Sequence, residues 1–103
     1  MKYSKIIALI PESTLEEVEQ ALLDHRVAGM TIMKAHGMGE YKNFYAKDFM
    51  SDCARLEIVE QTDRVRELTD TIARVVHQGL STDGVIIVSP VDEFIHISQF
   101  EES

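Results

Sequence analysis

Apolar residues recur along the chain at two different periods, which predict strands in some stretches and helices in others. The continuous apolar run Ile6 to Ile10 stops at Pro11, as a central buried strand does. Thr31 to Ala35 forms a second predicted strand. Arg55 to Glu60 alternates apolar and polar residues and predicts a third, half-covered strand, and Val85 to Val88 predicts a fourth, buried one.

Two further stretches place apolar residues at helical spacing. The first helix is predicted to begin at a capping box over Thr14–Glu17 and to run to about His25. The second is predicted to be capped by Thr62 or Asp63 and to end shortly before Gly79, which suits the C′ position.

The order of elements is strand, helix, strand, strand, helix, strand. This order is typical of the α+β class with a ferredoxin-like βαββαβ fold, in which an antiparallel sheet carries two helices on one face. A short extra strand is expected over 94–97. No repeat, linker or second domain is visible, so residues 1–103 are expected to form a single domain whose uncovered sheet face leaves room for a partner.

Composition narrows the class of protein. A hydrophobic content of 45% with 27% charged residues is ordinary for a globular chain and argues against disorder. The formal net charge of -8 repels polyanions, so nucleic acid is not an expected partner. A single cysteine, Cys53, excludes an internal disulfide, and no apolar run is long enough for a signal peptide or a membrane span. We expect a cytoplasmic protein, complete as written and not inserted into a membrane.

Two glycines, Gly37 and Gly39, interrupt the chain just after the second predicted strand. Residues without Cβ let the backbone wrap around a ligand or approach it closely. No helix start follows them, as it would in a phosphate-binding loop. Their spacing alone indicates a flexible exit from a strand, for which a bulge or a loose turn is the simpler interpretation.

The motifs Gly29-Met30-Thr31 and Gly37-Met38-Gly39 resemble, in this order, two glycine motifs of the PII signal-transduction family. The similarity continues in the first helix at Leu15–Val18, in the third strand at Arg55–Val59, and in the ending that starts at Asp83. The resemblance implies a ferredoxin-like subunit that assembles as a homotrimer and binds nucleotide in the clefts between neighbouring subunits.

Carried over position by position, the resemblance implies an adenine-nucleotide site built largely from backbone. His96 replaces an arginine of the family and can donate to a phosphate when it is protonated. Without the resemblance, Thr31 is an ordinary strand residue and Asp83-Gly84 a plain turn. The nucleotide-binding residues implied are Thr31, Gly37, Met38, Gly39, Glu57, Val59, Asp83, Gly84 and His96.

Several cations of the family are missing here. Val85 stands where the family has a phosphate-binding lysine, and His96 and Ser98 stand where it has arginines. A hydrogen bond to a charged group contributes about 1.5–3 kcal/mol, so losing three of them costs roughly 4.5 kcal/mol or more, above a thousandfold in affinity. The sequence therefore favours ADP or AMP as the ligand and disfavours ATP with magnesium.

Residues 40–52 correspond to the family's mobile partner-binding loop, here shorter and without the stretch that carries the modifiable tyrosine. Shortened PII-like proteins include a subgroup linked to carboxysomes and bicarbonate transport, which implies bicarbonate as a further ligand and a transporter or enzyme as the target. The residues of this loop expected to contact a partner are Tyr41, Lys42, Phe44, Tyr45 and Phe49.

Two classes of function remain open on the sequence. The first is a non-enzymatic, PII-like regulatory sensor that binds adenine nucleotide and signals through the loop. The second is a CutA-like trimeric protein that binds divalent metal, although no cluster of metal ligands is apparent. No nucleophile–base spacing or carboxylate pair predicts an enzyme, so catalytic residues are not expected.

Overall fold

The computed structural model describes residues 2–35 and 52–102, and over these residues four strands form one antiparallel sheet. The spatial order is β2-β3-β1-β4, so the two nine-residue strands lie in the centre and the two shorter strands form the edges. The strands are β1 (Tyr3–Pro11), β2 (Thr31–Ala35), β3 (Cys53–Gln61) and β4 (Val85–Val91).

Two helices, α1 (Leu15–Asp24) and α2 (Val65–Val76), cover one face of this sheet. Side chains of a strand alternate between its two faces, and the even-numbered residues of β1 and β3 point to the helices. The predicted α+β, ferredoxin-like arrangement is confirmed. The buried core consists of Ile6, Ala8, Ile10, Leu15, Val18, Leu22, Val27, Ala54, Leu56, Ile58, Leu68, Ile72 and Val76.

The predicted helix caps are wrong. Thr14 already has helical backbone angles, because a 3-10 turn at Glu12–Thr14 precedes α1, and its hydroxyl donates to the carbonyl oxygen of Pro11 at 2.7 Å. A 3-10 turn at Thr62–Arg64 likewise precedes α2, and no side chain caps that helix. A capping residue needs extended backbone angles, whereas the residue directly before each helix belongs to a 3-10 turn and has helical angles.

The end of α2 also differs from the prediction. His77 is the C-cap, so Gly79 lies beyond the C′ position, although its φ of 81° does place it in the left-handed region. The turn that follows contains a 3-10 segment at Ser81–Asp83, which leads into β4.

The fourth strand was predicted to be buried, but it is an edge strand. Ile87 is 36% exposed and Val88 is 45% exposed, because one side of β4 has no neighbouring strand among the described residues. The extra strand expected over 94–97 does not form. The chain instead leaves the sheet after Val91 and makes a short 3-10 turn at Ile97–Gln99.

Gly84 joins this turn to β4 at a place where no side chain fits. Its φ is 107° and its ψ is -163°, a combination that essentially only glycine adopts. A Cβ built on it would lie 1.9 Å from the carbonyl oxygen of Leu9 on β1. The glycine is therefore required for β4 to pack beside the end of β1.

We predict that Gly84→Ala lowers the free energy of unfolding by about 2–5 kcal/mol, because backbone strain and overpacking both oppose it. Gly79→Ala is the matched control, since its Cβ would meet nothing within 4 Å and only the left-handed φ is penalised, by about 1–2 kcal/mol. Urea unfolding of both variants at one protein concentration measures the difference. Equal losses for the two variants would contradict the role of the close approach to Leu9.

Candidate ligand-binding site

Two cavities formed by described residues contain predicted site residues. The larger of these, about 820 Å³, lies where β2 and β3 pair and where the C-terminal segment returns to the sheet. Four of the residues implied by the sequence line it: Thr31, Glu57, Val59 and His96. Thr31 and Glu57 are direct partners across the β2–β3 ladder, which places the hydroxyl-bearing residue beside the carboxylate-bearing one. The tertiary structure thus brings together residues that are up to 65 positions apart in the sequence.

Asp83 and Gly84 line a different cavity, of about 420 Å³, between the last turn of α2 and the start of β4. Its walls are mainly apolar and include Ile10, Val76 and Ile86. Because β2 and β4 are opposite edges of the sheet, one chain does not present all the predicted residues to a single ligand.

The remaining predicted site residues lie outside the described part of the chain. They are the glycine motif Gly37, Met38 and Gly39 and the loop residues Tyr41, Lys42, Phe44, Tyr45 and Phe49.

The carboxylate of Asp83 closes its own turn. Its Oδ2 accepts hydrogen bonds from the backbone N–H groups of Gln78 at 2.8 Å, Gly79 at 3.0 Å and Leu80 at 3.3 Å. These bonds, that from Gln78 above all, hold the pKa of Asp83 below its usual value. Consecutive amides of this kind are a common site for an external anion, and here an internal carboxylate engages them.

The charged groups that line the larger cavity are already paired. Glu57 lies 3.7 Å from Nζ of Lys5 and 2.9 Å from a guanidinium nitrogen of Arg55. Arg64 is 3.2 Å from Oε1 of Glu60 and 3.4 Å from Oε2 of Glu67. A bound anion would therefore compete with carboxylates for these cations.

Arg64 also ties together the two helix ends that support the cavity wall. Its guanidinium donates to the carbonyl oxygen of His25, the C-cap of α1, while Nδ1 of His25 lies 2.7 Å from Oε2 of Glu67 in α2. The hydrogen bonds from His25 and then Arg64 lower the pKa of Glu67. The next residue, Arg26, has a φ of 64°, so the chain turns sharply here towards the wall formed by residues 28–31. Arg64 was not predicted as a site residue, because nothing in its neighbouring sequence indicates contacts across 39 positions.

Three rings, those of Tyr3, Phe94 and His96, form one wall of the larger cavity. The ring centroids of Tyr3 and Phe94 are 5.3 Å apart, and those of Phe94 and His96 are 4.8 Å apart. Both contacts are edge-type, with interplanar angles of 62° and 61°. Periodicity did not reveal this cluster, because Phe94 and His96 lie outside any regular element.

Within residues 2–35 and 52–102, no three His, Cys, Asp or Glu side chains come together as a metal site would require. No described helix has the length and apolar character needed to cross a membrane.

The family model for nitrogen regulatory protein P-II matches residues 3–101 of the chain. The chain belongs to the P-II family. Curated P-II relatives agree with this assignment over nearly their whole length. P-II of Azospirillum brasilense is 31% identical over 106 residues, covering 95% of this chain and 94% of the relative. P-II 1 of Escherichia coli K12 is 34% identical over 106 residues with the same coverage.

Solved structures place the fold in the same P-II family. The chain is similar to Arabidopsis thaliana PII bound to citrate, with a TM-score of 0.77 and 27% identity, over 97% of this chain and 87% of that one. The resemblance inferred from the glycine motifs is confirmed, and the protein is a signal-transduction regulator of the P-II type. This favours the P-II interpretation over the CutA-like alternative.

We predict that Asp83→Ala lowers the free energy of unfolding at pH 7, because three amides lose their acceptor. A carboxyl group with a lowered folded-state pKa stabilises the fold above its unfolded pKa of about 3.9, and this contribution is lost as the pH falls through the folded-state value. The difference between wild type and variant should therefore shrink below about pH 4.

Denaturant unfolding at several pH values measures this difference, with the exposed Asp92→Ala as the matched control. A loss of stability that is the same at pH 3 and pH 7 would show that the Asp83 charge is not responsible.

Proposed function

We propose that this P-II family chain is a single-domain, non-enzymatic sensor that binds ADP or AMP in the clefts between the subunits of a homotrimer. The nucleotide signals through the loop at 40–52 to a protein partner, such as a transporter or an enzyme, in the cytoplasm. The observation that carries this proposal is the convergence of Thr31, Glu57, Val59 and His96 on one cavity.

The division of the predicted residues between two cavities supports a site between subunits. Thr31 and Glu57 lie by the β2 edge, and Asp83 and Gly84 lie at the start of β4, at the other edge. A ligand in a cleft contacts the first group on one subunit and the second group on its neighbour. In this arrangement the backbone around Gly84 faces the phosphates, while the Asp83 side chain holds the turn in shape.

Exposed apolar side chains supply a surface for the trimer contact. Besides the half-exposed Ile87 and Val88 of β4, the C-terminal segment exposes Ile95, Ile97 and Phe100, with Ile97 at 87%. A chain of 103 residues has a small core, and burying such a row against other copies adds hydrophobic stabilisation.

The charges that line the cavity, and the cations paired with them, support the preference for a short phosphate chain. Lys5, Arg55 and Arg64 are each within ion-pair distance of a carboxylate. Val85 offers no charge where the family has lysine, and the carboxylate of Asp83 occupies three turn amides. A triphosphate would meet too few free donors to balance its four negative charges.

A small carboxylate or carbonate is a candidate second ligand. The similar Arabidopsis PII structure was solved with citrate, a small carboxylate anion. We propose bicarbonate as the corresponding anion for this chain, in keeping with its short loop and the bicarbonate-linked subgroup that it resembles.

Calorimetric titration with AMP, ADP and ATP, with and without magnesium, tests the ligand. We expect AMP or ADP to bind at least tenfold more tightly than ATP, and Val85→Lys to raise ATP affinity about tenfold by restoring one charged hydrogen bond.

Thr31→Val, which keeps the shape of the side chain and removes its hydroxyl, should weaken AMP binding, and Asp92→Asn serves as the exposed control. Tighter binding of ATP than of ADP would refute the charge argument. Heat released only by divalent cations would favour the CutA-like alternative.

The trimer is tested by light scattering on a sizing column, where about three times 11.7 kDa is expected. Ile87→Lys should shift the protein towards monomer, because a lysine ammonium is costly to bury in an apolar contact. Lys2→Glu, at an exposed position at the start of the chain, is the control. A wild-type monomer at micromolar concentration would refute this assembly.

A further inference from the structure

Tyr3 and Phe94 of the ring cluster have no part in the site described so far, which is built from strand residues, Thr31 and His96. We propose that Phe94 is a base-stacking residue, on whose ring the planar purine of the ligand lies. The inference rests on the proposed function, since it assigns the residue that recognises the base of that same ligand.

The first argument is the position of the ring. Phe94 follows β4 in the segment that leaves the sheet, and it lies beside Tyr3, the first residue of the central strand β1. It contributes to the cavity wall together with residues 57–61 and 28–31, while 41% of its surface stays exposed. A large aromatic side chain left out of the core, at the rim of a cavity with a polar wall, is suited to contact a flat ligand.

The second argument is the way in which the ring is held. Tyr3 and His96 both contact Phe94 at angles near 60°, so neither is stacked in parallel on it. The parallel stacked geometry is therefore not taken by either neighbour, and the ring is 41% exposed. Stacking of a base on an aromatic side chain changes affinity about 5- to 150-fold, and it tolerates different bases because each has a π face.

The third argument is chemical complementarity across the cavity. Thr31 offers a hydroxyl, and the carboxylates of Glu57 and Glu60, which are also paired with cations, each have more than one acceptor site. These acceptors suit a base with an exocyclic amino group, as adenine has. His96 lies two residues beyond Phe94, with its ring 4.8 Å away, so a nucleotide whose base rests on Phe94 brings its ribose and first phosphate towards that imidazole.

The test uses full-length protein and two probes, AMP and ribose 5-phosphate, which has no base. We expect Phe94→Leu to weaken AMP binding about tenfold or more and to leave ribose 5-phosphate binding unchanged. Phe94→Tyr should retain AMP affinity. Leu23→Ala is the control, because Leu23 is a half-exposed apolar residue of α1 that neither lines the cavity nor belongs to the proposed trimer surface.

A second variant gives a direct optical signal. The chain contains no tryptophan, so Phe94→Trp introduces a single tryptophan, which can be excited selectively over the tyrosines and whose emission should be quenched by AMP and not by ribose 5-phosphate. This measurement decides the matter even where Phe94→Leu fails to fold.

The outcomes separate the two proposals. Tight AMP binding by the wild type with equal binding by Phe94→Leu, or an unquenched Phe94→Trp at saturating AMP, overturns the stacking role and leaves the sensor function standing. Equal weakening of both probes by Phe94→Leu also overturns it, since the residue would then act only on the shape of the cavity. A wild type that binds no adenine nucleotide refutes the sensor function, and the stacking role with it.

Discussion

The pairing of β1 with β3 is the constraint on which the rest of the described structure depends. Nine consecutive residue pairs, from Tyr3↔Gln61 to Pro11↔Cys53, join strands that are some fifty residues apart in the sequence. The even-numbered side chains of both strands lie under the helices, so a slip of one residue would turn Ile6 and Leu56 out of the core. The apolar core therefore fixes this register strongly.

The central β1–β3 pair also fixes the positions of the two edge strands. β2 pairs only with β3, and β4 pairs only with β1 among the described residues, so each candidate cavity is built where a short edge strand meets a long central one. The core fixes the positions of the candidate site residues, which themselves lie outside the buried cluster. Thr31 and His96 line the larger cavity in this way, whereas Glu57 is also paired with Lys5 and Arg55.

The charges near the sheet edges limit which ligands can bind there. The chain is acidic overall, and its cations near the larger cavity face carboxylates on the same or a neighbouring strand or helix turn. Exposed ion pairs contribute little to stability, but they do reduce the positive charge that a polyanionic ligand meets. The proposed preference for ADP or AMP over ATP rests on this reduction of positive charge.

The sequence by itself determined the elements, their order and the family. Hydrophobic periodicity reports which side of each element is buried, and this is enough to predict four strands and two helices; the bounds of β2, Thr31–Ala35, were predicted without error. The glycine motifs, which reflect local backbone requirements, led to the P-II family.

Only the tertiary structure decided how the elements end and which side chains reach the cavities. The helix caps failed because 3-10 turns preceded the helices, and the hydrogen-bond geometry of such turns is not visible in a polarity pattern. Arg64 meets His25 across 39 positions, and Phe94 meets Tyr3 from an irregular segment. Contacts of this kind depend on how the folded strands, helices and loops pack against one another, whereas periodicity carries information only about neighbours along the chain.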